Sequence, residues 1–159
     1  MEEAFALCLD SSDNPVFSGH TYSTDIPVPN GYDQLWNGNL DIYVAKLSSN
    51  GNSIIWGTYI GGTNNEEATS LKLDSSDNVF IAGATASTDI PVPLGYDQTN
   101  NDPFPRSDIY VAKLGSSGNN LLWGTYIGGT WGEEALGLSL DSSSNVVIVG
   151  CTSSIDIPV

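Results

Sequence analysis

The heptapeptide D-I-Y-V-A-K-L fills Asp41–Leu47 and recurs unchanged at Asp108–Leu114. Its central run of Ile, Tyr, Val and Ala has no polar interruption, which is typical of a β-strand covered on both faces. The octapeptide W-G-T-Y-I-G-G-T follows each copy, beginning at Trp56 and at Trp123. Two different apolar words that recur in the same order predict a tandem repeat.

The word E-E-A delimits the repeat, because it begins at Glu2, Glu66 and Glu133. Successive copies therefore start 64 and 67 residues apart, and the additional residues of the second copy lie in one loop. The pattern predicts two complete repeats and part of a third, at residues 1–65, 66–132 and 133–159.

Each complete repeat contains four predicted strands and no helical periodicity. In the middle repeat the strands begin at Ala68, Val79, Asp108 and Leu121, and a long loop rich in Pro, Gly and Asn separates the second strand from the third. The words D-S-S-D-N and G-S-S-G-N-N, which connect the other strands, predict tight hairpin turns.

Four-stranded antiparallel units that repeat in tandem, with both faces covered by their neighbours, are the blades of a β-propeller. We therefore expect an all-β fold of about two and a half β-propeller blades, which forms an incomplete ring on its own. A stack of blades that does not curve into a ring is the alternative.

The order of the words D-S-S-x-N, T-x-S-x-D-I-P, D-I-Y-V-A-K-L and W-G-T-Y-I-G-G-T resembles the SBBP repeat family, the seven-bladed β-propeller repeats of bacterial and archaeal surface and secreted proteins. The resemblance covers essentially the whole chain and implies a propeller at the cell surface or outside the cell. It implies no catalytic residue. The sequence departs from the family before the Asn of the first turn, where Gly is usual and Asp13, Asp77 or Ser144 stands here.

The charge balance excludes several classes of partner. With 19 acidic side chains, 4 basic ones and a net charge of −15, the chain is a poor partner for nucleic acid or an anionic membrane surface. No apolar run approaches the roughly 20 residues that cross a bilayer, and no signal segment is recognisable, so membrane insertion is not expected. Cys8 and Cys151 do not occupy equivalent positions, and we expect both to be unpaired.

Three pairs of adjacent carboxylates recur once per blade, at Glu2 and Glu3, at Glu66 and Glu67, and at Glu133 and Glu134. In a ring they would circle one face near the mouth of the central channel. There they could share Ca²⁺, which prefers several oxygen ligands. The alternative is that the charges are solvated strand ends and that the protein holds no cofactor.

Two groups of aromatic residues have different expected roles. Tyr32, Trp36 and Tyr96 lie in the long loops, which differ between repeats, and they are the candidates for binding glycans. Trp56 and Trp123 recur at the same place in the fourth strand, so we expect their indoles to pack on the neighbouring blade.

The basic and imidazole side chains do not predict catalysis. Lys46 and Lys113 occupy the same place in D-I-Y-V-A-K-L, which predicts a structural ion pair or hydrogen bond to an acidic residue. His20 is the single histidine and belongs to no Ser-His-Asp pattern. No His and Cys residues have the spacing of a zinc site.

An incomplete ring leaves apolar sheet faces at both ends. The residues expected to contact other copies of the chain or further blades are Phe5, Leu7, Leu9, Val146, Val147, Ile148 and Val149. The predicted function is a non-catalytic structural or adhesive propeller segment of an extracellular or cell-surface protein. We expect it to assemble with further blades of the same chain or of other copies, as a homo-oligomer, a filament or a component of a surface layer. The alternative is a glycan-binding propeller that uses the long-loop aromatic residues.

Overall fold

The computed structural model describes residues 2–101 and 105–157. Residues 102–104 of the second long loop and residues 158–159 of the third repeat lie outside the described residues, as does residue 1. Within the described residues the chain forms ten β-strands. These are β1 (Glu2–Leu9), β2 (Pro15–Thr21), β3 (Asp41–Leu47), β4 (Ile54–Ile60), β5 (Glu66–Leu73), β6 (Val79–Thr85), β7 (Asp108–Leu114), β8 (Leu121–Ile127), β9 (Glu133–Leu140) and β10 (Val146–Thr152).

The strands form three antiparallel sheets, which we call blades 1, 2 and 3. Blade 1 has the order β1-β2-β3-β4, blade 2 has the order β5-β6-β7-β8, and blade 3 consists of β9 and β10. The predicted all-β fold of four-stranded units is confirmed, and the ring is not closed. None of the described residues forms a helix that could cross a membrane.

The first hairpin of each blade is held by one aspartate. In blade 1 the Asp10 carboxylate accepts hydrogen bonds from the amides of Ser12 and Asn14, both at 2.8 Å. Asp13, Asp77 and Ser144 have φ values of 61°, 60° and 62°, in the left-handed region that glycine adopts most readily. The hairpin prediction is confirmed, and a short polar residue occupies the place of the glycine.

Lys46 and Lys113 form the structural ion pairs predicted for them. Lys46 pairs with Asp10, and Nζ of Lys113 lies 3.0 Å from Oδ2 of Asp74. Burial by itself would raise the pKa of Asp74, but hydrogen bonds from Asn78 and Lys113 outweigh it and lower the pKa to about 2. The lysine of the third strand thus ties that strand to the turn between the first two.

The three blades pack on one another in chain order. Between blades 1 and 2, Val16 and Val44 share a core with Leu71. Between blades 2 and 3, Phe80 shares a core with Leu138. The two interfaces together bury apolar side chains on both faces of the middle sheet, which explains the uninterrupted apolar run of β7.

The indole of Trp56 packs on blade 2, as expected from its recurrence. Its side chain is almost completely buried, and its Nε1 donates to the carbonyl oxygen of Ser116, 3.2 Å away. The equivalent Trp123 lies edge-on to Phe80 at 6.0 Å between ring centroids and is only partly buried. The two environments differ because blade 3 contributes only two strands.

The long loop covers the outer edge of the fourth strand. In blade 1 the amides of Gly57 and Tyr59 donate to the carbonyl oxygens of Pro29 and Asp33, each at 3.0 Å. The Tyr43 hydroxyl donates to the Pro27 carbonyl oxygen at 2.6 Å. The same bonds recur in blade 2 at distances of 3.1 Å for the backbone pairs. The loop therefore satisfies backbone groups that an open sheet edge would leave available for pairing with another chain.

Candidate functional site

A buried glutamate occupies each junction between successive blades. Glu66, at the start of β5, has no exposed surface, and Glu133, at the start of β9, is 3% exposed. Each is the first member of an E-E pair and follows the Gly-Gly-Thr segment that leaves the previous blade. The sequence expectation that these charges are solvated is therefore wrong for the first glutamate of the second and third pairs.

The Glu66 carboxylate is held by the backbone and by two hydroxyl side chains. The amide of Gly62 donates to Oε2 at 2.7 Å, and Oγ1 of Thr85 donates to Oε1 at 2.8 Å. The Ser87 side chain provides a third hydrogen bond. A buried carboxylate needs such donors, because burying an unpaired charge is very costly.

The second junction repeats this arrangement around Glu133. The amide of Gly129 donates to Oε2 at 2.9 Å, and the hydroxyls of Thr152 and Ser154 donate to Oε1 at 2.7 and 2.6 Å. The words G-G-T, E-E and T-x-S-x-D therefore meet in space. Their recurrence in the sequence reflects one hydrogen-bonded unit that is built at each junction.

An aspartate of the long loop completes each unit. Oδ1 of Asp89 accepts from the amide of Thr63 at 2.9 Å, and Oδ1 of Asp156 accepts from the amide of Thr130 at 3.1 Å. Both belong to the word S-x-D-I-P of the following blade. The start of the long loop is thus attached to the segment that enters its own blade.

A second carboxylate, that of Asp41, is buried beside Glu66. Its Oδ2 accepts from the amide of Asn37 at 2.8 Å, while Oδ1 accepts no hydrogen bond of good geometry within the described part of the chain. The backbone amide of Gly38 also acts on this carboxylate and lowers its pKa. Gly61 lies against it, since a Cβ on Gly61 would be 2.4 Å from Oδ1. In the second junction Asp108 is equivalent, and its Oδ2 accepts from the Asn101 amide at 2.9 Å.

The two carboxylates at the first junction favour a bound proton. Burial raises the pKa of Asp41 to about 6, against the opposing Asn37 amide, and the nearby Glu66 charge raises it further. Burial also raises the pKa of Glu66 above its usual range, although Ser87, Gly62 and Thr85 act in the opposite direction. This junction therefore binds protons more readily than the unfolded chain does.

The pKa of Glu133 is shifted in the opposite direction to that of Glu66, although the same kinds of group donate hydrogen bonds to it. Burial would raise its pKa, but the hydroxyls of Ser154 and Thr152 and the amide of Gly129 together lower it. Glu133 lies nearer the end of the stack of blades and is less deeply buried than Glu66. The identical hydrogen bonds then outweigh the smaller desolvation.

The second glutamates of the pairs have a different environment from the first. Glu67 and Glu134 are exposed and line a cleft of about 480 Å³ between blades 2 and 3, together with Arg106. Glu3 is also exposed and lies beside His20, with 3.9 Å between Oε2 and Nε2. At each blade junction the two glutamates of a pair therefore have different environments, because successive side chains of a strand point to opposite faces of the sheet.

Glu2 differs from Glu66 and Glu133 because its side chain is exposed. It accepts a hydrogen bond from Ser23. Among the described residues there is no cluster of three or more His, Cys, Asp or Glu side chains arranged to hold a metal ion. Calcium binding by the glutamate pairs stays a prediction.

The loop aromatics predicted to bind glycans are only partly available at the surface. Tyr96 is almost fully exposed and Tyr32 is partly exposed, while Trp36 is half-buried and its Nε1 has no acceptor within the described residues. The amide of Tyr32 donates to the carbonyl oxygen of Gly118 at 2.8 Å, which holds its loop against a turn of blade 2. In the described chain none of the three rings contacts another.

The residues predicted to form the interface divide between the two faces of their strands. Phe5, Leu7, Leu9, Val147 and Val149 are exposed. Val146 and Ile148 instead pack against the core between blades 2 and 3. The outward surface of β10 is therefore narrower than the sequence run suggested, because alternate residues of a strand point to opposite faces.

Sequence reasoning missed Asp41, Asp108 and the Thr and Ser hydroxyls of the junction. Their signal was present, since Thr85 and Ser87 recur as Thr152 and Ser154. A polar residue that recurs in every copy beside apolar strands indicates a repeated buried hydrogen bond. Which carboxylate each hydroxyl contacts could be decided only by the fold.

Comparison with known proteins identifies one distant similarity, and no family model matches the chain. An uncharacterized WD repeat-containing protein of Acanthamoeba polyphaga mimivirus is 25% identical over 111 residues, which is 62% of this chain and 8% of that protein. The similarity supports a propeller-type repeat. The match spans only a small part of the relative's length, so it agrees with the architecture of the blades and carries no activity over to this chain.

Proposed function

We propose that the chain is a non-catalytic structural or adhesive segment of a β-propeller that works at the cell surface or outside the cell. The observation that carries the proposal is the junction unit. The polar residues that recur between repeats, Glu66, Thr85 and Ser87 at the first junction, bind one another and the segment that connects blade 1 to blade 2. Residues with this role stabilise a scaffold and leave little repeated polar surface for chemistry.

The apolar surfaces at the two ends of the stack also support a scaffold role. Leu7 and Leu9 are exposed on blade 1, and Val147 and Val149 are exposed on blade 3. Contiguous exposed apolar residues on a sheet face mark a surface that packs against another structure. Further blades, in the same chain or in another one, are the partners that fit these surfaces.

A matched pair of glutamate substitutions tests the structural role. Glu66→Ala removes the acceptor of three buried donors, each of which costs about 1–3 kcal/mol when left unsatisfied, so the free energy of unfolding should fall by about 3 kcal/mol or more. Glu67→Ala, next to it on the exposed side, should change the free energy by less than about 0.5 kcal/mol. Urea denaturation followed by tryptophan fluorescence measures both.

The stability of the Glu66→Ala protein decides whether Glu66 has a structural role. If Glu66 supports the fold, its replacement must destabilise the protein, because three buried donors lose their acceptor. A Glu66→Ala protein that is as stable as the parent, or more stable, would therefore contradict the structural proposal.

A glycan-binding propeller is the second candidate, and the exposed Tyr96 ring together with the half-buried Trp36 favours it. Exposed aromatic faces can stack on sugar rings, and the indole Nε1 of Trp36, which has no acceptor among the described residues, can donate to a hydroxyl. This function predicts saccharide binding on a glycan array that weakens in the Trp36→Ala and Tyr96→Ala proteins. An array without signal for the folded protein would count against it.

A further inference from the structure

The cleft of about 480 Å³ between blades 2 and 3 lies inside a junction and not at an end of the stack. Glu67 and Ala84 line one side of it and face each other in the β5–β6 hairpin, so their side chains share one face of the sheet. Phe80 of β6 packs against blade 3, and Ala84 has the same direction because alternate residues of a strand share a face. Gly132 and Glu133, at the entry to blade 3, line the other side.

The cleft is lined by smaller side chains than those of the first junction. Ala84 and Ala86 line it, whereas His20 and Tyr22 occupy the same two positions of the first repeat. The imidazole of His20 is buried there. Alanine replaces a ring at both positions, so side-chain volume that is present at the first junction is missing at the second.

Two larger residues are added at the rim of the same cleft. Arg106 and Trp131, each two residues before a recurring word, stand where the first junction has Asn39 and Asn64. The guanidinium carbon of Arg106 lies 4.4 Å from the centre of the Trp131 ring, and Trp131 is 51% exposed. Departures from the repeat are thus concentrated around this cleft, which indicates a role other than the packing of blades.

The polar groups of the cleft select a neutral ligand that carries hydroxyl groups. The Arg106 guanidinium offers only donors and the Glu67 carboxylate offers only acceptors. A cation would face Arg106, while an anion would face Glu67, Glu134 and a net charge of −15. A sugar hydroxyl both donates and accepts, so it satisfies both kinds of group without carrying a charge.

The size and the aromatic rim of the cleft agree with a sugar. Sites for small ligands have volumes of about 300–1,000 Å³ and combine apolar walls with a few placed polar groups. Ala84 and Ala86 provide apolar wall. The exposed part of the Trp131 ring provides a surface on which the apolar face of a sugar ring can pack.

We propose that this cleft binds a neutral saccharide, whose hydroxyls donate to Glu67 and accept from Arg106 while its ring packs against Trp131. This ligand site goes beyond the scaffold function. It also lies in a different place from the glycan site of the second candidate function, which uses the aromatic residues of the long loops.

A glycan array tests the class of ligand, and substitutions test the place. The fluorescently labelled 159-residue chain should bind neutral glycans and leave acidic ones unbound, and titration calorimetry with the strongest neutral glycan then gives the affinity. Glu67→Gln and Trp131→Ala should each weaken it by about 10-fold or more, because a hydrogen bond to a charged group and an aromatic anchor each contribute about one decade of affinity. Ala84→His restores the residue of the first junction and should abolish binding by filling the cleft.

Glu3→Gln is the matched control, because Glu3 is the equivalent exposed glutamate of blade 1, and this protein should bind like the parent. Circular dichroism must show that each variant unfolds at the temperature of the parent. If Ala84→His is destabilised, the substitutions of Glu67 and Trp131, both at exposed positions, decide the test.

Three results would overturn the proposal: an array on which no neutral glycan is bound, binding confined to acidic glycans, or binding that is lost in Tyr96→Ala but kept in Trp131→Ala. The last of these would assign the sugar to the long loops. The Glu66→Ala experiment measures stability in the absence of a ligand, so the scaffold function and this site can fail independently.

Discussion

Replacing Asp41 by asparagine should make the protein more stable at neutral pH, although it removes a buried carboxylate that accepts hydrogen bonds. Asn keeps an oxygen to accept from the Asn37 amide. Its NH₂ group takes the place of Oδ1, which accepts no hydrogen bond of good geometry among the described residues. The substitution therefore removes the buried charge and keeps an acceptor for the Asn37 amide.

The size of the effect follows from the pKa of Asp41. Burial raises that pKa from 3.8 to about 6, and one pKa unit corresponds to about 1.4 kcal/mol. The folded protein binds this proton more tightly than the unfolded chain, so the proton stabilises the fold fully below pH 3.8 and is lost as pH rises through about 6. Above that pH the ionised carboxylate costs up to about 3 kcal/mol, and relaxation of the surroundings reduces this upper limit.

Urea denaturation of the parent and Asp41→Asn proteins between about pH 4 and pH 8 measures the difference in unfolding free energy. The difference should be close to zero at the acidic end and reach about 1–3 kcal/mol in favour of Asn at the alkaline end. Asp74, whose pKa is lowered to about 2, loses its stabilising charge only at lower pH, and this loss is common to both proteins. Asp25→Asn removes one charge from an exposed position and serves as the control.

A difference that does not vary with pH would refute the argument, because it would mean that the folded and unfolded states bind this proton equally. An Asp41→Asn protein that is less stable than the parent at pH 8 would refute it as well. In that case the carboxylate would have favourable interactions that burial and hydrogen bonding do not account for.

Two further predictions concern residues with positive φ and compare the first two repeats. Leu94→Asn should stabilise the protein by about 1 kcal/mol in urea denaturation, because Leu94 is 87% exposed at a φ of 55° and asparagine tolerates this conformation better than leucine. The reverse change, Asn30→Leu at the equivalent position, should destabilise the protein. Variants as stable as the parent would contradict the argument. Gly51→Ala and Gly118→Ala share the cost of a positive φ, about 1 kcal/mol, but a Cβ on Gly118 would lie 2.2 Å from the Trp56 ring while none lies within 4 Å at Gly51. Gly118→Ala should therefore cost about 3 kcal/mol or more, and similar melting temperatures for the two alanine variants would show that the ring moves aside freely.

The sequence by itself determined the strands, their order and the pairing of the hairpins. Recurring words delimit each strand, and the run from Ile109 to Ala112 indicated cover on both faces, which the buried side chains confirm. For Lys46 and Lys113 the sequence predicted that the partner is acidic but not which residue it is, because a lysine that recurs in an apolar strand needs a nearby carboxylate. These features are local or periodic, so they can be read from the spacing of residues along the chain.

Only the tertiary structure decided which distant residues share a junction. Glu66 and Thr85 face each other in the β5–β6 hairpin, but Asp41 of β3 becomes their neighbour only after blades 1 and 2 have packed. The sequence showed that the glutamate recurs but could not show that it is buried, because burial depends on the segments that fold over it. The same reason applies to the long loop, whose position along the outer edge of β4 depends on hydrogen bonds from Gly57 and Tyr59. The spacing of residues along the chain indicates which residues form each strand, whereas the contacts between blades determine which of their side chains are buried away from water.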